Sequence, residues 1–175
     1  MSETIPERRF RRATMADLPI MLEIYRHARE LMAANGNHKQ WGSTFPPEEV
    51  VREDIEMQRT ILLVDTVDGK ERVLAQFALC LGIDPTYVNI DGAWLDDDPY
   101  VTIHRIASSG LGKGAAKDCI NWALEHYGNV RADTHPNNKA MQHIFESNGF
   151  ARCGLIQLLD RSTDTTRIAY QRHEW

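Results

Sequence analysis

Between Tyr100 and Phe150 the chain spells a strand, a glycine-rich turn, a helix, a second strand and a second helix, and this run constrains the fold more than any other stretch. Tyr100–Ala107 (YVTIHRIA) reads as a buried strand, and Gly110–Lys117 (GLGKGAAK) as a turn into a helix, Gly114–Tyr127. The first amides of a helix lack intrahelical acceptors, and glycines let a ligand approach them closely, so such a turn suits phosphate. A strand Asn129–Thr134, a break at Pro136-Asn137-Asn138 and a helix from Lys139 to about Asn148 complete a β-α-β-α unit suited to a phosphorylated cofactor.

Upstream, Arg9–Thr14 reads as a first strand, and Thr14 with Asp17 as a capping box. Leu18, Met21, Leu22, Tyr25, Ala28, Leu31 and Met32 then recur at helical spacing until Asn35-Gly36. After a polar and aromatic loop, residues 37–47, a second helix is expected from Glu48 to about Arg59. Thr60–Thr66 and Val73–Ile83 read as antiparallel strands joined through Asp68-Gly69, and Asp84–Pro99 as a long connection of the kind that carries function. Cys153–Leu159 and Thr166–Arg172 close the chain as a last pair of strands.

The 175 residues fit one domain, 1–175, with enough length to bury a core. Hydrophobic content of 42% without a membrane-length apolar run, and a charged start without an apolar signal core, lead us to expect a cytoplasmic protein that engages no membrane. A net charge of −5 with only the short cluster Arg8, Arg9, Arg11, Arg12 argues against nucleic acid. Cys80, Cys119 and Cys153 are too dispersed for a disulfide framework or a zinc site, and no two of the seven histidines have metal-ligand spacing, so no metal is expected.

Two readings of the glycine turn compete. Gly110-Leu111-Gly112-Lys113-Gly114-Ala115 fits GxGxxA, with Asp133 ending the next strand, as in a dinucleotide fold of an oxidoreductase. Such a fold needs several parallel crossovers, whereas this chain offers one βαβ unit flanked by hairpins. The same stretch resembles the acetyl-CoA segment of the GNAT superfamily of N-acetyltransferases, Gln/Arg-x-x-Gly-x-Gly/Ala, with Leu111 in place of the first residue. Asn138 at a helix start, Phe145 and the closing Gly149-Phe150 resemble that family's next motif, whose aromatic is commonly a tyrosine that protonates the leaving thiolate. The strings NGNHKQWG, DGAWL, IHRIASSG and DTHPNN look like a bacterial branch of the superfamily, and the element order agrees along essentially the whole chain.

The resemblance implies an α/β (α+β) fold with a mixed, mostly antiparallel central sheet flanked by helices. It implies an N-acetyltransferase that moves an acetyl group from acetyl-CoA to a primary amine of a small molecule or peptide; a non-catalytic acyl-CoA-binding module is the alternative, and a homodimer is left open. The cofactor-binding residues would be Gly112, Lys113, Gly114, Ala115 and Ala116 at the pyrophosphate, Asn138 at the pantetheine arm, and the amides of Ile106 and Ala107 at the thioester carbonyl.

Strand alternation puts Tyr100, Thr102, His104 and Ile106 on one face and Val101, Ile103, Arg105 and Ala107 on the other. His104 then points into the cleft as a base for an ammonium substrate, or is a hydrogen-bonded core histidine. Asp133 orients His104, holds an amine, or caps the turn at Pro136. Trp41 and Trp94 wall an amine pocket or plug the core beneath their loops. Cys153 is an acid, a nucleophile or a buried thiol.

Overall fold

The structure, a computed structural model, describes residues 5–175. Strand β1 (Arg9–Arg12) leads through a 3-10 turn, Met15–Asp17, into helix α1 (Leu18–Ala34). The Asp17 carboxylate starts this helix by accepting the Thr14 amide at 2.8 Å, and both its oxygens are gripped by the Arg11 guanidinium, each at 2.8 Å. Helix α1 buries Leu18, Met21, Ile24, Tyr25 and Ala28, whereas Leu31, expected on the same stripe, is exposed near the helix end. Helix α2 (Glu48–Glu56) follows the aromatic loop.

Strands β2 (Thr60–Val67) and β3 (Lys70–Leu81) form the expected hairpin, with Val67 opposite Lys70. Asp68 and Gly69 alone make the turn, at φ 52° and 75°, the paired positive values that a tight two-residue hairpin demands. The strand therefore begins three residues earlier than Val73. The long connection is not wholly loop: it holds a 3-10 turn, Pro85–Tyr87, and a two-residue strand, β4 (Asp91–Gly92). Two alternating residues are too few to register as a strand in sequence.

The remaining elements are β5 (Val101–Ser108), α3 (Ala115–Tyr127), β6 (Asn129–Thr134), α4 (Lys139–Ser147), β7 (Ala151–Gln157) and β8 (Thr166–His173). Among the described residues eight strands form one sheet, in the order β1-β2-β3-β5-β6-β8-β7-β4. Every pairing is antiparallel except β5 with β6. That excludes the dinucleotide fold, which needs successive parallel crossovers. One face of the sheet packs Phe77, Ile103, Ile120, Ala132 and Phe145 with α3 and α4; the other packs Leu62, Val64 and Ala107 with α1 and α2.

Two departures from ideal sheet geometry create the site. Strands β5 and β6 pair only at Val101 with Val130 and Thr102 with Arg131, and beyond those rungs they part. On its other side β5 bulges: His104 pairs with Ala78 and Ala107 with Gln76, so Arg105 and Ile106 together oppose Phe77. Arg105 carries φ 53°, a value rare for a residue with a side chain. The bulge corrects the strict alternation read from sequence, because Ile106 packs against the α3 and α4 core with Ile103, while Ala107 turns to the α1 and α2 side.

Candidate active site

Where β5 and β6 part, a cavity of about 470 Å³ opens, a size suited to a small ligand. His104 and Ile106 line it from β5, Asp133 and Thr134 from β6, and Phe145 from α4. Trp41, Phe45 and Gln40 close it from the loop between the first two helices, and Leu158, Leu159 and Arg161 from the loop after β7. These two loops hold each other, since Arg161 donates to the carbonyls of Lys39 (3.2 Å) and Gln40.

The His104 Nε2 atom stands 2.6 Å from Asp84 Oδ2. A carboxylate only accepts, so Nε2 donates the shared proton, and Nδ1 has no hydrogen-bond partner among the described residues. Asp84 is itself fixed by the Thr86 amide at 2.9 Å. Burial works to raise its carboxyl, but the hydrogen bond and charge of His104, with the Thr86 contacts, hold it below the ordinary value. The arrangement is an imidazole with a built-in orienter.

Asp133 lies at the same parting but is turned elsewhere. It accepts from Tyr87 Oη at 2.6 Å, and burial raises its carboxyl above the usual range against the opposing pull of His104 and the Tyr87 hydroxyl. Burial likewise drives the Tyr87 phenol well up, keeping it a neutral donor. The recorded hydrogen bond of Asp133 neither orients His104 nor caps the Pro136 turn. The residue that orients His104 is Asp84, twenty positions away on a turn.

Trp41 reaches the cavity wall while staying buried, packed edge-on against Tyr25 and tilted toward Phe45. Trp94 does not reach the cavity. It donates to the Tyr87 carbonyl at 2.9 Å and covers Arg131, whose guanidinium lies 4.2 Å from its ring, so its assignment to the acceptor pocket is corrected to a packing role behind Tyr87. Cys153 also lies off the cavity, half-buried beside β4, with burial raising its thiol. Asn138 caps α4 by accepting from the Met141 amide at 3.0 Å and reaches Gln40 at 3.0 Å, which ties the helix start to the aromatic loop.

On the other side of the parting, the glycine turn delivers α3. Gly114 caps that helix at φ 69°, one residue before its first turn, and a Cβ there would meet only open space. Asp118 is the first amide of α3 bonded back to the turn, to the Gly114 carbonyl at 3.0 Å, which leaves the amides of Gly112 to Ala116 unsatisfied by protein groups among the described residues. Arg8, anchored to Asp118 at 2.7 Å, lies so close to Gly112 that a Cβ there would sit 2.7 Å from its guanidinium. Free amides, the helix dipole and Arg8 make a positive cradle that fits a pyrophosphate.

An acetyltransferase of the GNAT family from Streptococcus agalactiae superposes on the chain with TM-score 0.84 and 28% identity, over 96% of each chain. Along nearly its whole length the chain is similar to a GNAT acetyltransferase. More distant GNAT structures share the fold: an acetyltransferase from Listeria monocytogenes (TM-score 0.68, 16% identity, 95% of this chain and 94% of that one) and a phosphinothricin acetyltransferase from Sinorhizobium meliloti, in complex with acetyl-CoA (0.62, 17%, 95% and 88%). No family model and no curated protein matches the sequence.

Within this GNAT fold, Phe145 stands where the resemblance leads one to expect a tyrosine. Its ring lines the cavity, stacks on Tyr170 at 4.9 Å and brings no hydroxyl. Sequence reasoning missed Asp84, Arg8 and Arg167. Asp84 stands immediately before Pro85, where a turn acid is unremarkable; Arg8 precedes a strand in a run of arginines, and Arg167 is the second residue of the last strand. Only the folded sheet brings them to the site.

Proposed function

We propose that this GNAT-like protein transfers the acetyl group of acetyl-CoA to the primary amine of a small molecule by direct attack. The observation that carries the proposal is His104, backed by Asp84, presenting a free Nδ1 in a cavity at the parting of β5 and β6. An ammonium cannot attack a carbonyl, and a neutral imidazole takes its proton near pH 7. The amine nitrogen then forms the new bond to the acetyl carbon while the carbon–sulfur bond breaks, and the electron pair leaves on sulfur.

The Gly112–Ala116 amides with Lys113 and Arg8 would hold the pyrophosphate, and Asn138 the pantetheine arm. At the bulge the ladder skips Ile106, so the main chain at Ile106 and Ala107 would turn a donor to the thioester oxygen. Phe145 supplies no acid, and a thiolate leaves without one. Orientation alone is worth about 7–11 kcal/mol of barrier. Trp41, Phe45, Leu158 and Leu159 would cover an apolar part of the acceptor.

We place the protein in the cytoplasm. Its cysteines Cys80, Cys119 and Cys153 are all unpaired, as in a reducing compartment, and no helix among the described residues is long and apolar enough to cross a membrane.

The test is release of free thiol from acetyl-CoA by the purified protein across a panel of amines. Release that depends on the amine, with the acetylated amine as product, is expected. Stabilisation by acetyl-CoA without release for any amine would instead make the protein a binding module.

A further inference from the structure

Two residues that line the acceptor cavity, Thr134 and Arg167, each carry a buried polar atom with no hydrogen-bond partner among the described residues, Oγ1 and Nη2. Thr134 is 1% exposed and Arg167 2%, and buried donors left unpaired are rare and costly. They are neighbours across the sheet, because Thr134 pairs with Ile168, the residue after Arg167.

Arg167 spends its other nitrogen, Nη1, on the carbonyls of Asp164 and Thr166 at 2.8 and 2.9 Å. The nearest carboxylate to Nη2 is Asp164 at 3.8 Å, beyond a hydrogen bond, and it is engaged by His135 Nε2 at 3.0 Å. A second cation, Arg161, and its neighbour Asp160 also line the cavity. Burial, and after it the charge of Arg161, lower the proton affinity of the Arg167 guanidinium, and Asp164, Asp133 and Asp160 only partly offset them. Asp84, Asp133 and His104 line the same cavity.

A cavity lined by both cationic and acidic side chains, with two buried polar groups left unpaired in its wall, matches a zwitterion. We infer that the acceptor is an amino acid or another small amine bearing a carboxylate, held by Thr134 Oγ1 and Arg167 Nη2 with its amine turned to His104. The inference rests on the acetyl-transfer reading for its function, but the binding it asserts can be measured without turnover. An acceptor with no anion would leave both donors unpaired in the closed complex. A carboxylate has lone pairs for both at once.

The experiment pairs each of several amino acids with the amine left by its decarboxylation, such as phenylalanine with phenethylamine, and reads both thiol release and thermal stabilisation in the presence of CoA. In the best pair the carboxylate-bearing acceptor should have kcat/KM at least about tenfold higher, the size of one charge-assisted hydrogen bond. Arg167→Met should remove that advantage through KM, Arg167→Lys should keep part of it, and Thr134→Val, nearly the same shape, should reduce it severalfold. Equal or better use of the decarboxylated amine by the unmodified protein overturns the inference and leaves acetyl transfer standing, and so does Arg167→Met weakening both members of a pair alike. If nothing is turned over, stabilisation by an amino acid that is lost in Arg167→Met, Arg167→Lys remaining folded, supports the inference and removes the transfer reading. No stabilisation by any amino acid overturns it.

Discussion

Arg105 and Asp54 meet side by side, Nε 2.7 Å from Oδ2 and Nη2 2.8 Å from Oδ1. The contact joins α2 to the bulge of β5, and the Arg105 carbonyl accepts from Tyr25 Oη at 3.0 Å, so the left-handed residue is held by its side chain and its main chain together. Burial works against the Arg105 charge, and the Asp54 bonds more than offset it. The next residue back is His104, so the same pin sets the strand that carries the base.

Removing Asp54 should therefore unfold more than it disarms. Asp54→Ala leaves Arg105 buried without its counter-charge and also frees Arg59, which reaches the same carboxylate at 3.2 Å. A loss of about 3–5 kcal/mol is expected in urea unfolding, the usual cost of breaking a buried pair from one side. A loss under about 1 kcal/mol would show that the bulge is held by the sheet alone.

The glycine cradle predicts a binding defect without a large folding defect. Gly114→Glu puts a carboxylate where the amides of α3 gather, and acetyl-CoA should no longer raise Tm. Gly114→Asn is the control, because asparagine tolerates the left-handed φ of 69° at this position. Full acetyl-CoA stabilisation of a folded Gly114→Glu protein would move the pyrophosphate elsewhere.

Asp133 predicts how stability should vary with pH. Its folded carboxyl is raised by burial, so folding favours the protonated form; the contribution is fully present below the unfolded value of about 3.9 and is lost as pH rises through the folded one. Asp133→Asn cannot ionise and does not suffer that loss. The Tm of Asp133→Asn minus that of the unmodified protein should grow from about pH 4 upward, whatever its fixed offset. A difference that is flat or shrinks with pH would show that the buried carboxyl ionises freely.

The order of elements was legible because it depends on local signals: the helical stripe Leu18 to Ala28, the Asp68-Gly69 turn, and the glycines before α3. The site was less so. A bulge changes no residue type, and what stabilises Arg105 at positive φ is an acid fifty-one positions earlier, which no periodicity can announce. Trp94 illustrates the converse. An aromatic ring on a long loop suits either a pocket wall or a plug, and only the cation of Arg131, stacked between Trp94 and Tyr100, decides for the plug.

His104 is where the account stands or falls. If its Nδ1 takes the proton of the acceptor ammonium, His104→Ala should lower kcat/KM by about 10²-fold near pH 7, with recovery as rising pH supplies free amine, and Asp84→Asn should produce a smaller loss in the same direction. The pH profile of kcat/KM for the unmodified protein beside that of His104→Ala, with acetyl-CoA stabilisation checked in both, tests this most directly. The account predicts that the two profiles lie far apart at neutral pH and converge at alkaline pH; superimposable profiles in a variant that still binds acetyl-CoA would contradict it.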